Sequence, residues 1–362
     1  MKKYLLILLA LFISACNNQA NQTTDNLSFI VFNSQESQDR AYRLIDNATL
    51  YRNGEKSVYP EIEGVVLRRH FNNPYNNTII VLDYQSNIVI YDIAGNATAK
   101  RLFDNSSTVT IDDIFFDEDY TYVIGTSLDD ENIYKLIRRY THDFNEVDET
   151  SVDFTGLHYR IIDGNIYFIR ETTNQDLSVT YTLNRKFFNN NNLDVLAEFN
   201  NPNIIDDYIV NDDVILFLIE DIESGQVTLY RYLENSTLEE IQKIADSAVI
   251  ILNWTKVNGV NYIVYGEVFT TDLQQGIYQN INLHTGVIRV QGDNVVVRPN
   301  VCENLIPSLI FDTLYCPSFD GVDLINLNDF STTQHYDYQN LIDIDRDNLH
   351  QYNIVFFSSA LG

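Results

Sequence analysis

Three features of the sequence predict an all-β chain closed as a β-propeller of seven blades. They are short runs rich in Val, Ile, Tyr, Phe and Thr, tight polar turns between those runs, and a repeat in the forties of residues. Long helical periodicity is scarce. One unit recurs: an apolar strand, a two- or three-residue polar turn, a second apolar strand, a longer polar loop, a Tyr-rich third strand and a weaker fourth. Residues 161–171 (IIDGNIYFIRE), 209–221 (IVNDDVILFLIED) and 255–267 (TKVNGVNYIVYGE) show its first half. Asp163-Gly164, Asn211-Asp212 and Asn258-Gly259 supply residues that tolerate the positive φ of tight hairpins.

Phe29, Ile80, Tyr122, Tyr167, Ile215, Tyr262, Leu314 and Ile354 mark one equivalent position in successive second strands. Their spacings are 51, 42, 45, 48, 47, 52 and 40 residues. A blade of about four antiparallel strands takes about 40–50 residues, so seven spacings give seven blades. Only eight residues follow Ile354 and mostly polar chain precedes Phe29. The expected solution is a ring closed by strands from both termini, which hides two open edges. Six or eight blades remain compatible with the pattern, and a β-sandwich is the alternative architecture. No interior Pro-, Gly- or Ser-rich linker divides the series, so residues 27–362 read as one domain.

Residues 1–15 read as a secretory leader: Lys2-Lys3, an apolar run from Tyr4 to Ile13, then Ser14-Ala15. The Ile13-Ser14-Ala15-Cys16 ending resembles the bacterial lipobox. That resemblance implies acylation of Cys16, which becomes the new N-terminus on a membrane. In such lipoproteins Asp after the cysteine favours the inner membrane; Asn17 here favours the outer one. Two or three acyl chains exceed the single chain that binds only marginally, so the anchor is expected to hold. Residues 16–26 form a lipidated start and a polar tether, whose ten residues after Cys16 span roughly 17 Å as a flexible coil. No other segment reaches about 18 consecutive apolar residues, so no spanning helix is expected. In layout the chain resembles bacterial propeller lipoproteins, without Trp-Asp, kelch or quinone-type repeat motifs.

With 45% hydrophobic residues, 24 Tyr and 20 Phe, the chain is too apolar for disorder. The formal charge of −28 becomes −30 once Lys2 and Lys3 leave. Such a surface argues against nucleic acid and against docking on an anionic membrane, which both need clustered Lys and Arg. Cys302 and Cys316 are a candidate disulfide in an oxidising compartment. A register argument opposes the pairing: in a hairpin of 305–310 with 314–319, Cys316 falls opposite Leu309, leaving Cys302 several residues away.

No Gly-x-Ser-x-Gly, His-Glu-x-x-His, phosphate-loop or dinucleotide fingerprint occurs, and the six histidines are scattered, so no catalytic residue is assigned. Asp343, Asp345 and Asp347 resemble the start of Asp-x-Asp-x-Asp-Gly calcium loops. Asn348 stands where those loops have Gly, and Ile354 where they have a bidentate Glu. The competing reading is an innermost strand at 341–349 with the three carboxylates on one channel-facing side. Asp112-Asp113, Asp206-Asp207 and Asp212-Asp213 read as rim turns. Arg68-Arg69 and Arg138-Arg139 are expected to pair with neighbouring carboxylates, and Trp254 to pack between blades. The sequence therefore predicts a lipid-anchored, non-enzymatic binding or scaffold protein of the cell envelope, with an envelope protein or glycan as partner and no cofactor. The alternative is a propeller enzyme or glycan-binding protein using an acidic channel mouth, with Ca²⁺.

Overall fold

The computed structural model describes residues 28–357 except 37–42, 53–54, 63–64, 66–69, 83–86, 104–107, 129–132, 154–155, 177, 189–191, 202, 212–213, 234–235, 268–283, 304–306, 311, 319–320 and 338–351. Among these residues there are 28 strands in seven four-stranded antiparallel sheets, and no helix. Each sheet is one blade of a β-propeller. Blades two to seven are continuous in sequence, each running from its innermost to its outermost strand. Blade one is composite: its innermost strand is Tyr352–Phe356, followed by Ser28–Glu36, Arg43–Arg52 and Glu55–Val58. No helix among the described residues is long and apolar enough to cross a membrane.

Second strands read as unbroken apolar runs because both of their faces are buried. Strand side chains alternate sides, so each second strand feeds two cores. Phe29 and Val31 enter the core shared with blade seven, while Ile30 and Phe32 enter the one shared with blade two. Leu216 and Leu218 face blade six, and Phe217 and Ile219 face blade four. Ile263 and Tyr265 point to blade five, Tyr262 and Val264 to blade seven. Seven apolar clusters result, one for each neighbouring pair of blades, including the pair formed by blades seven and one. The hairpin turns follow the expected chemistry. Asp163 and Gly164 have φ of 48° and 71°, and Asn258 and Gly259 have 51° and 77°.

Two expectations are corrected here. Ile354 does not mark a further second strand; it lies in the innermost strand of blade one, where Val31 pairs with Ile354 and Phe29 with Phe356. Seven second strands therefore carry seven blades, and the eighth marker belongs to the seam. The innermost strand proposed at 341–349 lies outside the described residues. The hairpin before Cys316 also turns more tightly than expected, with Leu309 opposite Leu314.

Cys302 and Cys316 are bonded, with Cα atoms 5.4 Å apart. The register objection considered one hairpin alone. Cys302 arrives instead from the outermost strand of blade six, Asn294–Glu303, which packs beside the second strand of blade seven, Thr313–Pro317. Both sulfurs sit in the core between those blades. The bridge closes a loop of 14 residues, which restricts the unfolded chain by about 3 kcal/mol. The double variant Cys302→Ala/Cys316→Ala is expected to lose about that much stability in urea titration. A reducing agent should lower the wild-type midpoint and leave the variant unmoved.

Candidate functional site

The innermost strands of blades three to six each carry a register shift: Ile111/Asp113, Leu157/Arg160, Ile205/Asp207 and Ile251/Asn253. A bulge bends the strand and re-aims the residues beside it. His158, inside the bulge of blade four, has φ of 52°, a conformation His adopts more readily than most non-glycine residues. The bulges bring polar side chains into an apolar zone near the axis. Asp113 and Asp207 each accept the next residue's N–H, from Ile114 and Tyr208, at 2.9 Å.

Arg160 of blade four donates through Nη2 to Asp207 Oδ2 of blade five at 2.5 Å. The Asp207 side chain is 3% exposed. Burial works against the Arg160 charge, yet Asp207 and Asp113 outweigh it and hold the guanidinium above its ordinary pKa. Burial pushes His158 down, helped by Arg160 and opposed by Asp207 and by a hydrogen bond to the Ile205 backbone. Tyr208, fully buried, is pushed well up by the same loss of solvent. On blade three Asp112 accepts from Lys135 Nζ at 2.9 Å and Thr126 Oγ1 at 2.8 Å. Lys135 also lies 5.8 Å from the centre of the Tyr159 ring of blade four.

Asp206, the extra residue of the blade-five bulge, accepts Val249 N–H of blade six at 2.9 Å. Burial pushes its carboxyl up to about 7; the Val249 bond opposes this, and Glu220 and Asp207 add to it. Asp206, with Glu220 beside it, thus carries a carboxyl raised toward neutral pH, a property suited to a general acid or base.

At the opposite end of the first strands, Tyr75 stacks on His142, with ring centres 5.2 Å apart and planes 11° apart. Burial raises the Tyr75 pKa, and Asp117, Glu118 and Asp163 raise it further. Lys256 of blade six reaches Asp163 of blade four at 3.3 Å, passing the intervening blade.

Cys16, Asp343, Asp345 and Asp347 lie outside the described residues, as do Arg68-Arg69 and Asp212-Asp213. Among the described residues no three potential metal ligands converge. Arg138 and Arg139 pair with carboxylates of the adjoining strand, Glu149 at 2.9 Å and Asp148 at 2.5 Å. Trp254 packs against the core between blades five and six and donates to Asn261 Oδ1 at 2.8 Å. Asp112-Asp113 and Asp206-Asp207 are not rim turns; they sit within strands, at the bulges. Sequence reading missed Arg160, His158 and Glu220. The available signal was acidic pairs inside runs of β-branched residues.

Replacing Arg160 alone leaves Asp207 as an unpaired buried charge. Arg160→Met should cost about 3–5 kcal/mol in chemical denaturation, and adding Asp207→Leu should restore much of it. Asp206 has a folded-state pKa above its unfolded value, so the native state holds its proton more tightly. The stability this provides is full below about pH 4 and is lost as pH rises through about 7. Asp206→Asn should lose less stability than wild type between pH 5 and pH 8. Equal losses in the two proteins would show that Asp206 titrates as an ordinary carboxyl.

No protein-family model and no curated protein matches the chain. Solved structures share its fold. The β-propeller domain of the Trilobed protease from Pyrococcus furiosus is 9% identical, covering 88% of this chain and 100% of that one, with a TM-score of 0.50. The acylaminoacyl peptidase of Pyrococcus horikoshii is 11% identical, with 89% and 54% covered and a TM-score of 0.48. A puromycin-hydrolyzing peptidase of Mycobacterium tuberculosis is 8% identical, with 86% and 54% covered and a TM-score of 0.47. The chain spans about half the length of the two peptidases. The propeller domain is described as having an open velcro topology; here Tyr352–Phe356 completes blade one. At these identities the likeness shows one thing, a seven-bladed β-propeller of four-stranded antiparallel sheets.

Proposed function

We propose that this chain is an exported, lipid-anchored propeller of the cell envelope that serves as an interaction module. The leader pattern at 1–15 and the acylation motif at Cys16 support export and anchoring. The Cys302–Cys316 bridge agrees with an oxidising compartment. The observation that carries the binding role is the exposure of branched aliphatic side chains on one face of blades four to six, while the Arg160 and Asp207 charges are spent joining blades four and five. Arg160 and Asp207 pair across blades four and five, and Lys135 pairs with Asp112 within blade three.

A second reading, a propeller enzyme or glycan-binding protein, rests on Asp206, whose carboxyl burial pushes up to about 7 beside Glu220. On the opposite face of the ring, the Tyr75–His142 stack beside carboxylates is a separate aromatic platform for a sugar ring.

In the native host, Cys16→Ser should move the protein from the membrane fraction to the soluble one. Photocrosslinking of the anchored wild type in intact cells should capture an envelope component reproducibly. Membrane retention of the serine variant would overturn the anchor, and repeated empty crosslinks would overturn the interaction role.

A further inference from the structure

One face of the ring carries the loops entering the first strands and the loops joining second strands to third strands. Among the described residues four exposed aliphatic side chains lie on this face in blades four to six: Leu157 at 44% exposure, Ile204 at 48%, Ile222 at 60% and Ile250 at 42%. They belong to three consecutive blades. Ile204 and Ile250 hold equivalent places, opposite Glu220 and Gly266 at the ends of their second strands. Hydrogen bonds tie the segments together. The Ile222 N–H reaches Asn203 Oδ1 at 3.5 Å, the Val249 N–H reaches Asp206, and His158 bonds to the Ile205 backbone. The other exposed aliphatics, Val58, Ile133, Val147, Leu193, Val195 and Leu233, are spread over third and outermost strands of blades one, three, four and five.

The rim has a charged centre. Asp206 and Glu220 stand among these side chains, and no Lys or Arg of the described residues forms an ion pair with either. Branched aliphatics exposed beside carboxyls that no described Lys or Arg pairs are costly for a free surface and complementary to a ligand that is both apolar and cationic, because a cation would displace the proton that burial holds on Asp206.

We propose that this rim docks an extended peptide segment of a partner protein, in which a lysine or arginine is flanked by branched aliphatic residues. The flanking residues cover Leu157, Ile204, Ile222 and Ile250, and the cation meets Asp206 and Glu220. The formal charge of −28 steers basic segments toward the chain. The aliphatic rim then selects among them, because charge alone attracts any polycation. Among the described residues this part of the rim exposes aliphatics and no aromatic ring, which makes a poor sugar site, and its acidic centre disfavours an anionic lipid surface.

This inference rests on the interaction-module reading. Its test is fluorescence anisotropy with the full chain and two labelled peptides of equal charge at physiological salt, Leu-Lys-Leu-Ser-Lys-Leu and Ser-Lys-Ser-Ser-Lys-Ser. The first should bind at least tenfold more tightly. Ile222→Ser/Glu220→Gln should erase that preference, while Val195→Ser, on the outermost strand of blade four, should keep it. Ile222 and Val195 are solvent-exposed and Glu220 is half-buried, and unchanged thermal melting confirms the fold. Equal affinity for the two peptides overturns the proposal, and so does equal behaviour of the two variants. Either result leaves the interaction role standing, because crosslinking in cells reports on that role whichever surface is used.

Discussion

The antiparallel pairing of Tyr352–Phe356 with Ser28–Glu36 is the constraint on which the ring depends. Remove it and blade one loses its innermost strand, blades seven and two lose cover on the faces turned to it, and an edge of unpaired amides opens. The seam is aromatic through its depth. Phe356 stacks on Tyr315 of blade seven at 4.5 Å and leans on Phe29 at 5.5 Å, and Phe29 stacks on Tyr51 at 5.0 Å. Val355 and Phe357 enter the opposite core, with blade two. A seam strand of five residues thus contributes to two of the seven inter-blade cores, as an interior second strand does.

Charge is distributed under a second constraint. A chain with 51 carboxylates and 23 basic side chains has few cations to spare, and several of them lie against acids of neighbouring strands or blades. Arg138 meets Glu149 and Glu146 while lying over Phe103, and Arg139 meets Asp148 while lying over Tyr120 and Phe188. Each guanidinium therefore neutralises an acid and covers an aromatic face at once, a combination lysine matches poorly. Carboxylates left over, such as Asp206, either share a proton or remain as unspent negative potential.

The blade count was legible because second strands are buried on both sides, so their residues are apolar without interruption and their spacing survives loop variation. The turns were legible where Asp163-Gly164 and Asn258-Gly259 must enter positive φ. Outer strands such as Thr237–Ala245 alternate exposed and buried positions with frequent breaks, and they left a weaker trace. The disulfide was obscured for a topological reason: a register argument within one hairpin cannot see a strand delivered by the adjacent blade. The polar belt was obscured for a similar one. Arg160 and Asp207 are 47 residues apart, and a bulge, set by backbone hydrogen bonding and not by side-chain type, decides where each of them points. An acidic pair inside a strand can be read from sequence; the residue that answers it from the next blade cannot.

The order in which the seam is made has a kinetic consequence. Ser28–Glu36 emerges early in synthesis, yet its inner neighbour is separated from it by more than three hundred residues. Until that neighbour arrives, a strand carrying Phe29, Ile30, Val31 and Phe32 keeps one edge open to other chains. Contacts so distant in sequence form slowly. The nascent chain therefore passes through an interval in which its most aggregation-prone edge is exposed, and a holding factor that binds unfolded clients would act on that edge before any other.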